Sequence, residues 1–202
     1  ATTEIYTLSL HDALPIFERI LTPQLEYFCK GMAYNVEFHL INPTKAEVVY
    51  EDRSVTVSSI PLRHRIPTCG FLFAEKPTPN HIIRDMIDFY KVPVFELNRI
   101  KNGEDYVLPD GTVIPNNRLT TPPAPPRSYA YCSDTIFHRP IIEQIKGVNL
   151  LFHEATFAQC DAQRAKETFH TTAMQAGEIA RDADVKQLLI GHFSARYEDE
   201  NI

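Results

Sequence analysis

Residues 148–157, VNLLFHEATF, place an apolar run directly before His153 and Glu154. Three other apolar runs also end in an ionisable side chain: SVTVSSIPLR stops at His64, RSYAYCS at Asp134 and KQLLIG at His192. Short runs rich in β-branched and aromatic residues predict strands. The later runs alternate with helical patterns near residues 140–146 and 171–182. This alternation predicts an α/β fold, with α+β character from antiparallel strands nearer the N-terminus.

These four strand ends predict a site. Residues just beyond strand ends meet at one rim of a layered sheet, where sites are commonly built. Imidazole and carboxylate groups suit zinc, and an aspartate can bridge two ions. Two metals a few ångströms apart clamp a phosphodiester and activate a water. A lone histidine after a strand is more often structural, and Asp134 within Ser133-Asp134-Thr135 also fits an Asx turn.

A fifth candidate, His170, lies just before a predicted helix. Thr171 and Thr172 follow it, and their hydroxyls are good helix N-caps. A histidine held there can act as a proton donor, with Glu154 orienting it. The alternative is a surface histidine in the capping region.

Composition sets limits on the class of protein. The chain has 202 residues, 44% of them apolar, and a net charge of −6. The apolar share is enough for a core, and no apolar run is long enough to cross a bilayer. The four cysteines form no CxxC pair, which indicates reduced thiols and a cytoplasmic protein. The lack of a membrane-length apolar run predicts no membrane partner. The negative charge argues against broad nucleic-acid binding but leaves room for a local basic patch.

The segments between these motifs differ in composition and in predicted secondary structure. Strands are predicted within residues 34–41, 46–52 and 69–76, and a short helix interrupted by Pro23 within residues 17–32. A proline-rich insertion at about residues 77–120 contains a helical pattern (81–91) and the turn signal Pro109-Asp110-Gly111. It predicts a protruding element with little core of its own.

The first sixteen residues, ATTEIYTLSLHDALPI, fit poorly with the rest of the chain. They match the translation of a sequencing-library adapter, so residues 1–16 are expected to be an artefact and residues 17–202 a partial domain. The alternative is a natural N-terminus.

Several motifs, in order, resemble ribonuclease Z of the metallo-β-lactamase superfamily. They are PLRH, CGFLFAEK, YKVPVFELNRIKNG with LPDGTVIPNN, PPAPPRSYAYCSDT, LLFHEATF, FHTTAMQAGEIA and LLIGHFSARY. The resemblance implies an αββα sandwich, here incomplete, with two zinc ions at its rim. It also implies an endoribonuclease that removes 3′ trailers from precursor tRNA.

The resemblance assigns roles to individual residues. His64 is similar to a ligand of one zinc, His192 to a ligand of the other, and Asp134 to the carboxylate that bridges them. Glu154 and His170 resemble the pair that assists departure of the 3′-oxygen. The insertion resembles a flexible arm that grips tRNA in a homodimer. Within its NRIKNG turn, Arg99 and Lys101 are candidate phosphate contacts, and a solvated turn is the alternative.

One family motif has no match in this chain. H-x-H-x-D-H, which supplies the remaining ligands and the general base, is absent from the sequence, and His39 lacks its context. The chain is therefore expected to be an inactive fragment of an active parent. The alternatives are another phosphodiesterase or sulfatase-like hydrolase of the same fold, or a non-catalytic RNA-binding remnant.

Overall fold

A computed structural model describes residues 14–28, 38–39 and 41–197. The described residues group into two compact units. One contains the residues up to Ala74 and from Arg127 onward, and the other is Glu75–Pro126. The strand predicted at residues 34–41 lies mostly outside the described residues. None of the described helices has the length and apolar content needed to cross a membrane.

The first unit is built on a six-stranded mixed sheet. Its strands are β1 (Val48–Glu51), β2 (Val55–Pro61), β3 (Cys69–Glu75), β8 (Ser128–Cys132), β9 (Leu150–Glu154) and β10 (Leu188–Gly191), adjacent in that order. The strands β1 and β2 are antiparallel, as are β3 and β8. The strands β8, β9 and β10 are parallel to one another. The strands predicted at residues 46–52 and 69–76 and before His64, Asp134, Glu154 and His192 are confirmed, whereas residues 38, 39 and 41 of the strand predicted at 34–41 lie in no strand.

Helices accompany the sheet. The first helix, α1, spans Leu14–Phe28 with Pro23 inside it, and α5 and α6 span Ala162–Thr168 and Ala173–Asp182. The helix predicted at residues 140–146 is instead a short 3-10 helix, Arg139–Glu143, because Pro140 at its start suits a tight first turn. Thr172 caps α6 in a capping box with Gln175, as the sequence predicts.

Apolar side chains cover both faces of the sheet. Ile179 and Ala180 of α6 pack against one face, on residues that include Ile60 and Leu151. A smaller cluster of Ile41, Val57 and Phe71 lies apart from that group. Phe71 and its neighbour Leu72 join different clusters because successive strand residues point to opposite faces.

The edge strand β10 is less well covered. It is the last strand in the described sheet order. Leu188, Leu189 and Ile190 are 36%, 53% and 36% exposed, so neither face of this strand is fully buried.

The second unit has a core of its own, which makes our expectation of little core wrong. Six buried side chains form it: Ile87, Val92, Ile100, Tyr106, Ile114 and Leu119. They come from short pieces of chain, α2 (Arg84–Phe89), α3 (Leu97–Lys101), α4 (Asn116–Leu119) and the strand pairs β4–β7 (His81–Ile82, Thr120–Thr121) and β5–β6 (Tyr106–Val107, Val113–Ile114). No single run is long enough to reveal this core in the sequence.

Two local predictions in this unit also change. The helical pattern at residues 81–91 yields a helix only at Arg84–Phe89, since the chain pairs as a strand at His81–Ile82. The first four residues of the NRIKNG segment belong to helix α3, and its turn is confined to Asn102 and Gly103, whose φ is 98°. The turn signal at Pro109-Asp110-Gly111 is confirmed between β5 and β6.

Gly70 provides a test of the sheet. A Cβ at this position would overlap the backbone carbonyl oxygen of Tyr131 on the adjacent strand. We expect Gly70→Ala to lower the free energy of unfolding by about 2–3 kcal/mol, because the strands must separate to admit a methyl group. Urea denaturation measures this change.

The matched control is Gly177→Ala in helix α6, where an added Cβ meets no atom within 4 Å. Its better helix propensity should raise stability by about 0.5–1 kcal/mol. Equal effects of the two substitutions would contradict the close approach at Gly70.

Candidate metal centre

The parallel strands bring the predicted site residues to one edge of the sheet. Cys132, the last residue of β8, aligns with His153, and Gly191, the last residue of β10, aligns with Glu154. Asp134 and His192 therefore follow adjacent carboxyl ends on either side of Glu154.

Three ligand atoms converge there. Asp134, His170 and His192 each offer one atom, and these atoms lie within 4.8 Å of one another. The Nε2 of His192 is 3.3 Å from Oδ1 of Asp134, and the rings of His170 and His192 stack with centroids 5.4 Å apart. His170 therefore belongs to this close group of atoms, whereas the sequence suggests only a proton donor at this position.

His64 lies beside this group without being part of it. Its ring centroid is 5.0 Å from that of His170, and its Nδ1 is 2.9 Å from the carbonyl oxygen of Phe169. The structure therefore brings His64, Asp134, Glu154, His170 and His192 to one region, with His64 on the side of His170.

Three backbone positions at this site are unusual. Asp134, Phe169 and His192 have φ values of 56°, 61° and 63°, in the left-handed region. Residues other than glycine occupy this region at a cost of about 1–2 kcal/mol. Each lies where the chain leaves a strand or helix and turns into the site, so packing elsewhere in the unit offsets the cost.

The buried carboxylate of Glu154 contacts several residues of the site. Glu154 has no exposed surface. Its Oε1 accepts from the backbone N–H of Thr135 at 2.6 Å and lies 3.0 Å from Nδ1 of His170. Its Oε2 accepts from the hydroxyl of Thr156 at 2.6 Å and from the backbone N–H of Thr171 at 3.1 Å. Four donors on one buried carboxylate satisfy a charge that burial would otherwise penalise strongly.

These contacts fix the proton positions on two of the histidines. A carbonyl oxygen and an ionised carboxylate only accept hydrogen bonds. The Nδ1 atoms of His64 and His170 must therefore be the donors to Phe169 and Glu154. The Nε2 atom of each neutral ring then holds a lone pair, which is the form of imidazole that binds a metal.

His153 does not join the site, although it is adjacent to Glu154. Successive residues of β9 point to opposite faces, so His153 is buried away from the cluster. Its Nδ1 contacts the carbonyl oxygen of Glu154 at 2.7 Å, and its Nε2 has no hydrogen-bond partner among the described residues. Burial lowers the pKa of His153, which keeps the ring neutral.

A cavity of about 380 Å³ adjoins the site at His170. Ile136 and Phe137 supply its apolar wall, and Lys166 and Gln175 supply polar groups. An aromatic ring and an ammonium beside the candidate ligands suit a nucleotide.

The candidate RNA contacts lie in the second unit. Arg99 forms ion pairs with Glu96 at 3.1 Å and with Glu104 at 2.7 Å. These carboxylates offset its charge. Lys101, together with Arg84 and His81, lines a cavity of about 530 Å³.

Known proteins resemble the chain closely. No family model matches it. A ribonuclease Z of Phocaeicola vulgatus is 73% identical over 196 residues, which is 97% of this chain. The chain belongs to the ribonuclease Z family. It spans 62–65% of the length of the first four curated relatives.

Solved structures place the fold within the metallo-β-lactamase class. The short form of human tRNase Z matches 96% of the chain and 61% of its own length, with a TM-score of 0.56 and 18% identity. The metallo-beta-lactamase fold protein YhfI of Bacillus subtilis matches 99% of the chain and 56% of its own length, with a TM-score of 0.50 and 15% identity. The six-stranded sheet of this chain is thus a part of the metallo-β-lactamase fold.

Thr156 is the site residue that sequence reasoning missed. Its hydroxyl contacts Glu154 at 2.6 Å and His192 at 2.8 Å, yet a threonine inside an apolar motif gives no sign of such a role. The only signal in the sequence is its position two residues after Glu154.

Glu154 offers a test of this arrangement. We expect Glu154→Gln to lower the free energy of unfolding by about 2–3 kcal/mol, because each carboxylate oxygen already accepts from a backbone N–H and the new amide N–H₂ must face one of them. Urea denaturation measures the effect.

Glu167→Gln is the control, since Glu167 is exposed and contacts Gln163 on the surface of α5. It should change stability by less than about 0.5 kcal/mol. A similar small change for Glu154→Gln would rule out the four-donor arrangement.

Proposed function

We propose that this chain is part of a zinc-dependent endoribonuclease that removes 3′ trailers from precursor tRNA. The observation that supports it most directly is the group formed by Asp134, His170 and His192, with ligand atoms within 4.8 Å of one another. Imidazole nitrogens and a carboxylate are the ligands that zinc prefers in proteins.

The donor set fits a metal. His64 donates from Nδ1 to the carbonyl oxygen of Phe169, the kind of outer contact that metal-binding histidines commonly make. His64, Asp134 and His192 are the residues that would hold the zinc. When bound, a zinc pair supplies positive charge to a phosphodiester and lowers the pKa of a water.

The remaining residues have separate proposed roles. His170, oriented by Glu154 through the 3.0 Å contact at Nδ1, takes up a proton at Nε2 and delivers that proton to the departing 3′-oxygen. The cavity next to His170 receives the adjoining nucleotide, with Phe137 beside the base and Lys166 near a phosphate. In the second unit, Arg99 and Lys101 are the proposed tRNA contacts. Lys101 contributes more of this charge, because Arg99 is paired with two carboxylates.

The complete enzyme is proposed to act in the cytoplasm as a homodimer, with the Glu75–Pro126 unit as the arm that holds the tRNA. Two other functions remain as outcomes of the same assay. Another hydrolase of this fold would cleave a simple phosphodiester or sulfate ester but leave precursor tRNA intact. A non-catalytic remnant would bind tRNA without cutting it.

The proposed proton donor can be tested in the complete gene product. We expect His170→Ala to lower kcat for cleavage of a precursor tRNA by a factor of about 10²–10⁴, because general acid catalysis is lost. Single-turnover kinetics with a 3′-labelled substrate measures this rate.

Glu143→Gln, at an exposed position on the Arg139–Glu143 3-10 helix, is the control and should leave kcat unchanged. An unchanged kcat in the His170 variant would contradict the assigned role. Lack of cleavage by the unmodified gene product would contradict the function itself.

The number of zinc ions bound per chain should be lower for this 202-residue chain than for the complete enzyme. Tight zinc sites in proteins commonly have four ligands or three with a water, and the described residues supply three proposed ligands, His64, Asp134 and His192. We expect the dialysed 202-residue chain to retain at most one zinc, and Asp134→Asn to reduce this further. Atomic absorption measures the ratio, and two tightly held zinc ions per chain would contradict the prediction.

A further inference from the structure

His192 differs from the other two histidines in its Nδ1 partner. His64 and His170 face a carbonyl oxygen and a carboxylate, which only accept hydrogen bonds. His192 faces the hydroxyl of Thr156 at 2.8 Å, and a hydroxyl can either donate or accept. The tautomer of His192 therefore depends on where the single hydroxyl proton of Thr156 points.

The surroundings of Thr156 decide the direction of that proton. Its oxygen is 2.6 Å from Oε2 of Glu154 and 2.8 Å from Nδ1 of His192. A carboxylate only accepts hydrogen bonds, and Glu154 accepts here from two backbone N–H groups and from the Thr156 hydroxyl. Two oxygens 2.6 Å apart without a proton between them would repel each other. The hydroxyl proton must therefore lie on the bond to Glu154.

We propose that Thr156 is a positioning residue that holds His192 in the Nδ1–H tautomer and leaves its Nε2 free beside Asp134. With its proton committed to Glu154, the Thr156 oxygen accepts from Nδ1–H of His192. The Nδ1 atom of His170 lies 3.3 Å from the same Thr156 oxygen and makes a weaker contact with its second lone pair. Glu154 thus sets the proton positions of two histidines, one directly and one through Thr156.

A second contact of His192, with Asp134, favours the opposite tautomer. Asp134 lies 3.3 Å from Nε2 of His192, and its carboxylate favours a proton on that nitrogen. The Thr156 contact is shorter, and Thr156 itself is only 7% exposed, whereas the side chain of Asp134 is 51% exposed. Water screens the exposed contact more strongly than the buried one. The Thr156 contact therefore prevails, and without it Asp134 would draw the proton to Nε2.

The proposal rests on the proposed role of His192 as a ligand, but its test requires neither metal nor activity. The ring ¹⁵N chemical shifts of a neutral histidine distinguish the two tautomers. They can be measured on the metal-free chain at rising alkaline pH, and the plateau at which the ring shifts stop changing identifies the neutral form. The spectrum of His192→Asn assigns the signals.

In the unmodified chain we expect the Nδ1–H form of His192 to predominate by a factor of about 2–10, as one hydrogen bond of ordinary strength provides. Thr156→Val removes the hydroxyl while keeping the shape, and the Nε2–H form should then predominate. Thr156→Ser retains the hydroxyl and should keep the original tautomer. Thr168→Val is the matched control, because the hydroxyl of Thr168 bonds only to carbonyl oxygens of its own helix.

Each outcome is decisive. An Nε2–H tautomer in the unmodified chain would overturn the proposal even if no variant folds. An Nδ1–H tautomer that persists in a folded Thr156→Val variant would also overturn it. A change of tautomer in Thr156→Val with none in Thr156→Ser supports it, whether or not the complete enzyme cleaves tRNA.

Discussion

The site depends on one buried carboxylate. Glu154 has no exposed surface, and its two oxygens collect donors from three separate segments of chain, at Thr135, Thr156 and Thr171. An ionised group in the interior is tolerated only when such donors surround it. The three segments must therefore come together for the fold to form, and the loops with Asp134, His170 and His192 are anchored by the same contacts.

Much of the framework is evident from the sequence, for a physical reason. Apolar runs that end in His or Asp form strands, and parallel strands align their carboxyl ends, so Asp134 and His192 had to lie close together. The capping box at Thr172 is likewise a local pattern. Such features depend on neighbours within a few residues, which the sequence displays directly.

The features that the sequence did not reveal depend on contacts between distant residues. The core of the Glu75–Pro126 unit is assembled from six side chains in different short elements, none of which forms an apolar run. The close approach of His170 to Asp134 and His192 depends on a left-handed turn at Phe169. The role of Thr156 depends on a hydroxyl placed between two side chains, and residue type alone does not specify that position.

The placement of β10 has a consequence for the dynamics of the site. This strand leads directly into His192, and it is also the edge of the described sheet, with three partly exposed apolar side chains. Edge elements with little cover open locally at a lower free energy than central ones. His192 should therefore leave the cluster far more often than Glu154, whose backbone amide should be among the slowest in the chain to exchange with solvent.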